Sequence, residues 1–122
     1  MTLIDKQFLL EQSGMSHKVV RELCHMFEQL VPKYLESLRD SFQADNREQV
    51  RHYAHKAKSA FGYLALHEQR DVLQEIENGI RDDISLEDLR IHYEKINKLL
   101  PQILEEVHAL REELGAQEKS NS

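Results

Sequence analysis

The stretch YAHKAKSAFGYL, Tyr53 to Leu64, decides how the chain is read. At about 100° per residue, Val50, Tyr53, Ala54, Ala57, Phe61 and Leu64 fall on one stripe, as in an amphipathic helix with a core face. Arg51, His55, Lys58, Ser59 and Gly62 fall on a second face pointing well away from it. His55 is therefore read as an exposed histidine. Arg51 lies one turn before it, Lys58 and Ser59 one turn after, and Gly62 two turns after. Its neighbours Ala54, Ala57, Ser59, Ala60 and Gly62 are small, which clears space around it.

The same periodicity extends in both directions. A short helix is expected at about residues 5–12, closed by Ser13 and Gly14. Ser16 caps a second helix running to about Ala44, with an apolar stripe of Val20, Leu23, Phe27, Leu30, Tyr34 and Leu38. Pro32 lies inside it and is expected to kink it or loosen one turn. ADNRE, residues 44–48, marks a break with Asp45 or Asn46 as the next cap. The third helix then runs to about Leu66 and a fourth from about Glu68 to Arg81. DDIS, residues 82–85, follows. Ser85, with Asp88 three residues on, caps a fifth helix to about Leu114, interrupted in pattern by Pro101. No β-type alternation and no internal repeat appears. The expected fold is all-α: an antiparallel four-helix bundle over residues 1–114, with the first short helix as an end cap. GAQEKSNS, residues 115–122, reads as a disordered tail.

Composition narrows the function. A chain of 122 residues, 40% hydrophobic and 31% charged, builds one modest core. A net charge of -6 argues against a general nucleic-acid binder, which needs a basic surface. The one cysteine, Cys24, forms no internal disulfide and reads as a small residue at a core edge with no redox role. MTLIDKQFLLEQSG at the N-terminus lacks the apolar run of a signal peptide, and no stretch approaches the roughly 20 apolar residues of a membrane span. The expected location is the cytoplasm, with no membrane partner, and the charged faces favour a monomer.

An exposed imidazole is mostly neutral at pH 7, since its ordinary pKa is about 6.5, and is then a nucleophile. Phosphoryl transfer needs such a nucleophile, nearby positive charge and room for the incoming group. Lys58 and Arg51 would supply the charge, Ser59 and Gly62 the room. His17, His67 and His92 lack this context and read as ordinary surface residues.

These residues carry a resemblance. AHKAKSAFGYLAL, residues 54–66, is similar to the signature of histidine-containing phosphotransfer (HPt) domains, A-H-x-x-K-G with a second glycine and an apolar residue beyond. MFEQLVPKYLESL, residues 26–38, resembles the family's F-x-x-x-x-P-x-x-L-x-x-L helix, and so accounts for Pro32. LQEIENGI, residues 73–80, resembles the segment after the site, where the family has an acidic or amide residue. The similarity covers most of the chain. It implies that His55 accepts a phosphoryl group on Nε2 and that Lys58 offsets its charge. It further implies that Glu77 accepts a hydrogen bond from Nδ1–H and so fixes the tautomer. Arg81, a turn beyond Glu77, is expected to help hold the phosphoryl group or a partner. Ser59 stands where the family usually has glycine. Serine is small and can hydrogen-bond phosphoryl oxygens, so activity is expected to survive.

No P-loop or other ATP-binding pattern is present, and no receiver pattern is attached. The resemblance thus implies a free-standing carrier in a multistep His–Asp relay. It would take phosphate from the receiver domain of a hybrid sensor kinase and pass it to a response regulator receiver. No cofactor of its own is expected, the receiver bringing Mg²⁺. The receiver is expected to land on the His55 face, with Ile4, Phe8 and Leu9 of the first helix beside it. The alternative is a non-catalytic adaptor that binds receivers or other signalling proteins without being phosphorylated. A di-metal bundle is disfavoured. Glu22-x-x-His25 and Glu105-x-x-His108 both point away from their helices' apolar stripes, and His52, His55 and Glu48 are three exposed ligands on one helix.

Overall fold

The computed structural model describes residues 2–120, with side chains up to Gln117. Five helices follow one another: α1 Lys6–Gln12, α2 His17–Gln43, α3 Arg47–Tyr63, α4 His67–Arg81 and α5 Leu86–Ser120. No strand occurs among the described residues. Helices α2 to α5 form an antiparallel bundle with seams α2/α3, α3/α4, α4/α5 and α5/α2, so α3 and α5 face each other across the diagonal.

Local chemistry sets the helix ends. Asp5, Ser16 and Asn46 accept hydrogen bonds from the backbone N–H three residues on, at Phe8, Val19 and Gln49. Ser85 does the same for Asp88 at 3.2 Å. Asn46 is thus the cap of α3, and Asp45 instead adopts the left-handed conformation that closes α2. Three helices end in the same way. Asp45, Ala65 and Asp83 have φ of 54°, 55° and 60°. The next residue's N–H reaches back to Ser41, Phe61 and Gly79 O respectively, a Schellman-type closure. Alanine has no side-chain compensation for the left-handed region, so Ala65 is the strained member. This turn ends α3 at Tyr63, three residues before its expected end near Leu66.

The core corrects the expected stripe of α2. Its buried residues are Val20, Cys24, Phe27, Val31, Leu35, Leu38, Ser41 and Phe42. Leu23, Leu30 and Tyr34 are only partly buried, so the core face is rotated toward the Cys24–Val31–Leu35 line. Cys24 lies in the core and not at its edge. Burial, with Glu28 adding and Arg111 opposing, pushes its thiol up to about 12, so no thiolate forms there at neutral pH. On α3 the expected face holds: Val50, Ala54, Ala57 and Phe61 are buried, joined by Ala60. Phe27 and Phe61 meet edge to face at 5.1 Å across α2/α3. Helix α2 runs unbroken through Pro32 and α5 through Pro101. Helix α5 also continues past Leu114, so residues 115–120 are helical and not the expected disordered tail. Residues 121 and 122 lie outside the described residues.

The N-terminal segment is tied to α5. Glu106 Oε1 accepts hydrogen bonds from the N–H of Leu3 at 2.7 Å and of Ile4 at 2.9 Å, and Lys6 pairs with Glu113. Leu9 and Leu10 then enter the core.

One close approach and one strained turn are testable together. A Cβ at Gly79 would lie 2.2 Å from Leu89 Cδ2, so α4 meets α5 through a missing side chain. Gly79→Ala is expected to destabilise by about 1–3 kcal/mol through overpacking. Ala65→Gly is expected to stabilise by up to about 1 kcal/mol by relieving the left-handed strain. Urea midpoints should therefore move in opposite directions. A third expectation concerns pH. Burial raises the Glu106 carboxyl pKa, but the bonds from Ile4, Gln102 and Leu3 outweigh it and leave the net value lowered. A lowered folded value gives stabilisation that is present above the unfolded value of about 4.3 and is lost as pH falls through the folded one. Amide exchange at Leu3 and Ile4 should accelerate below pH about 4, relative to core amides, and Glu106→Gln should remove most of that change.

Candidate phosphotransfer site

Helix α3 presents His55 between two seams. Its side chain is 62% exposed, while Lys58 and Glu77 are 19% and 16% exposed. Glu77 lies on α4, one position after buried Ile76. That register points its carboxylate into the α3/α4 seam. His55 Nδ1 lies 3.3 Å from Glu77 Oε1 and 3.4 Å from Oε2. Lys58 Nζ lies 3.0 Å from Glu77 Oε1 and 2.8 Å from Gln74 Oε1. Glu77 Oε1 is shielded from solvent, yet neither contact approaches it at a regular hydrogen-bonding angle. Proximity of charge, more than a formed hydrogen bond, holds the Lys58–Glu77 pair.

With Nδ1 turned toward a carboxylate, the tautomer carrying the proton on Nδ1 is favoured, and Nε2 keeps its lone pair toward solvent. The arrangement can therefore offer a neutral, oriented imidazole nucleophile with a cation one turn away.

The remaining expected site residues are placed as follows. Lys58 is half-buried in the seam, not on the solvent strip. Arg51 is exposed and pairs with Glu48 at 2.7 Å; Arg81 is exposed and pairs with Asp82 at 3.1 Å. Hydrogen bonding, then the charge of each carboxylate, pushes both guanidinium groups above their ordinary range. Neither reaches His55. Ser59 Oγ donates to His55 O at 3.2 Å, back along its own helix. Gly62 lies on the same helix, and a Cβ there would meet only Arg70 Cδ at 3.5 Å. Phe8 is exposed and stacks edge-on against His67 at 5.9 Å. Ile4 is half-buried and bound by its N–H to α5, the helix diagonal to α3. Leu9 is 1% exposed, a core residue with no surface to dock. The short helix spends Leu9 and Leu10 on the bundle, which corrects the expectation for Leu9.

A feature of the site escaped sequence reasoning. Met26, Leu30, Tyr34, His55, Lys56, Ser59, Ala60 and Tyr63 line an open, mainly apolar groove of ≈ 240 Å³ along α2/α3. Lys56 Nζ lies 5.6 Å from the Tyr34 ring centroid and 5.9 Å from that of Tyr53. The signal was present: Leu30 and Tyr34 belonged to an apolar stripe wider than one core face can bury. Elsewhere, Glu22, His25, Glu105 and His108 are exposed, and no group of three or more His, Cys, Asp or Glu able to hold a metal is found among the described residues.

The Hpt domain family model matches residues 22–116, most of the chain and all four bundle helices. The chain therefore belongs to the Hpt domain family, whose members carry out histidine phosphotransfer in phosphorelays and interact with receiver domains. No curated protein and no solved structure matches it. Among the described residues no helix is long and apolar enough to cross a membrane.

Gly62→Ala is expected to raise unfolding free energy by up to about 0.5 kcal/mol, less than the interior value because Gly62 lies in the last turn of α3. A urea midpoint that fell instead would show that glycine serves internal packing and not open surface.

Proposed function

We propose that this chain accepts a phosphoryl group on His55 Nε2 from a receiver-domain aspartate and passes it to the aspartate of a second receiver. The observation that carries the reading is the Glu77 carboxylate, set against His55 Nδ1 and Lys58 Nζ while the ring stays exposed. The step balances simply. The Nε2 lone pair attacks phosphorus, the P–O bond to aspartate breaks, and the aspartate leaves as carboxylate. The ring, still protonated on Nδ1, becomes a phosphoimidazolium whose positive charge faces Glu77. Lys58 offsets the phosphoryl oxygens. The reverse of this step, on the second receiver, unloads the carrier. The chain supplies nucleophile and orientation. Mg²⁺ belongs to the receivers, of which the donor would sit on a hybrid sensor kinase and the acceptor on a response regulator.

Docking is best supported along α2/α3. The apolar groove begins at His55 itself, so a receiver seated there with an apolar helix face would bring its aspartate to Nε2. Ser59 and Gly62 keep the approach low, and exposed Tyr63 and Phe8 extend apolar surface toward the capped end. Arg51 and Arg81 lie outside this contact and fit a steering role for an acidic receiver rim.

The test is transfer from a labelled, phosphorylated receiver with Mg²⁺ to wild type, His55→Gln and His52→Gln. Acid-labile, base-stable label that is absent only from His55→Gln is the expected result. Lys58→Glu should slow labelling by about tenfold or more while leaving the fold intact. A labelled His55→Gln chain would move the acceptor to another residue, and an unlabelled wild type that still binds receivers would replace this reading with the adaptor.

A further inference from the structure

Lys58 is held from a second side by a residue that the transfer step does not use. Gln74 lies on α4, three residues before Glu77, and its Oε1 accepts from Lys58 Nζ at 2.8 Å. Its amide nitrogen donates to Asn78 Oδ1 at 2.9 Å, one turn further on. This settles the orientation of the amide. An ammonium only donates, so the oxygen must face Lys58, and the NH₂ must then find an acceptor, which Asn78 provides. A polar ladder thus descends the α3/α4 seam in the order Asn78, Gln74, Lys58, Glu77, His55. Gln74, Asn78, Lys58 and Glu77 are half-buried, so little water competes for these contacts.

We propose that Gln74 is a positioning residue for phosphoryl transfer. It holds the Lys58 ammonium at the seam while leaving N–H to spare for the phosphoryl group on His55. The proposal rests on the reading of His55 as acceptor. The geometry explains why Glu77 alone does not suffice. Its Oε1 is shielded and lies off-angle to Lys58, so the ion pair fixes a distance but not a direction. The Gln74 bond supplies the direction. Gln74 takes one of the three ammonium protons, and the shielded Glu77 oxygen attracts the group without a regular hydrogen bond, so N–H remains for an incoming acceptor. Without Gln74 the long lysine stem is free to swing into solvent, leaving Glu77 to His55 alone.

Two measurements separate positioning from simple packing. The first needs no phosphate: the ¹H–¹⁵N signal of the Lys58 ammonium, identified by its loss in Lys58→Met. An ammonium hydrogen-bonded to Gln74 and half-buried beside Glu77 exchanges slowly enough to be seen at low temperature. Gln74→Met should abolish the signal with backbone amide shifts unchanged beyond the seam, and Gln74→Glu, which keeps an acceptor, should restore it. The second is a double-mutant cycle on labelling by a phosphorylated receiver. Gln74→Met is expected to slow labelling of His55 about tenfold in the wild-type background and by nothing further in Lys58→Met. A Lys58 signal that survives Gln74→Met overturns the proposal. So does an equal slowing with Lys58 already removed. A wild-type chain that takes no label overturns the carrier reading and the proposal with it, a failure that the lysine signal distinguishes from a missing tether.

Discussion

Helix α3 is thin on its inward side, and the site depends on that. Ala54, Ala57 and Ala60 are buried where most bundle helices place leucine or isoleucine. Interhelical distance follows the side chains at the contact, so small residues let α2 and α4 come close. Glu77 is short for a residue that must cross a seam, yet it reaches His55 and Lys58. Phe61, one turn beyond Ala57, refills the space with Phe27 and prevents a void. Clearing around His55 is therefore the outer view of an inner constraint. The same run of small residues brings a carboxylate to one side of the ring and leaves the other side open.

The seam charges are not there for stability. Half-burying an ammonium and a carboxylate loses hydration, and their attraction repays it only when geometry is good. Here Glu77 Oε1 is shielded without a regular hydrogen bond. An apolar pair at 58 and 77 would pack the seam as well or better. Retaining charge fits a place where new charge arrives: a phosphoryl dianion beside Lys58 and a cationic ring beside Glu77. Charge is also held in the α2/α5 seam. There Arg111 Nε donates to Glu28 at 2.7 Å, while Arg111 Nη2 approaches His108 Nδ1 at 3.2 Å. Glu28 Oε2 lies 3.5 Å from the same nitrogen, so an arginine and a carboxylate both meet His108 Nδ1.

Much of this was legible in the chain. Helical periodicity placed all five helices, and Ser16, Asn46 and Ser85 cap where their residue types direct. The His55 face could be read because alanine and histidine differ so clearly in burial preference. Four things could not be read. Helix α2 carries apolar residues over more than one face, and only the partners' positions decide that Val31 and Leu35 go inward while Leu30 and Tyr34 line a groove. Lys58 sits at a helical angle between core and solvent, where periodicity is ambiguous and a long stem decides. The fate of Leu9 depended on whether α1 packs on the bundle or stands off, which seven residues alone do not encode. Gly115 looked like a helix end, but α5 passes through it beside Arg21 of α2.

The bundle is uneven in length, and this divides its mechanics. At 1.5 Å per residue α3 and α4 are about 26 and 22 Å long, whereas α2 and α5 reach about 40 and 52 Å. All the excess lies at the end where α3 turns into α4. There the four-helix cross-section shrinks to two, and α1 lies over the apolar strip that α2 and α5 would otherwise leave wet, through Leu9 and Leu10. This tip is stitched on by few bonds, chiefly those of Glu106 and Lys6. It can open as a separate cooperative unit while Phe27, Phe61 and the seam below stay closed. His55 thus sits where all four bundle helices pack, away from its own cap.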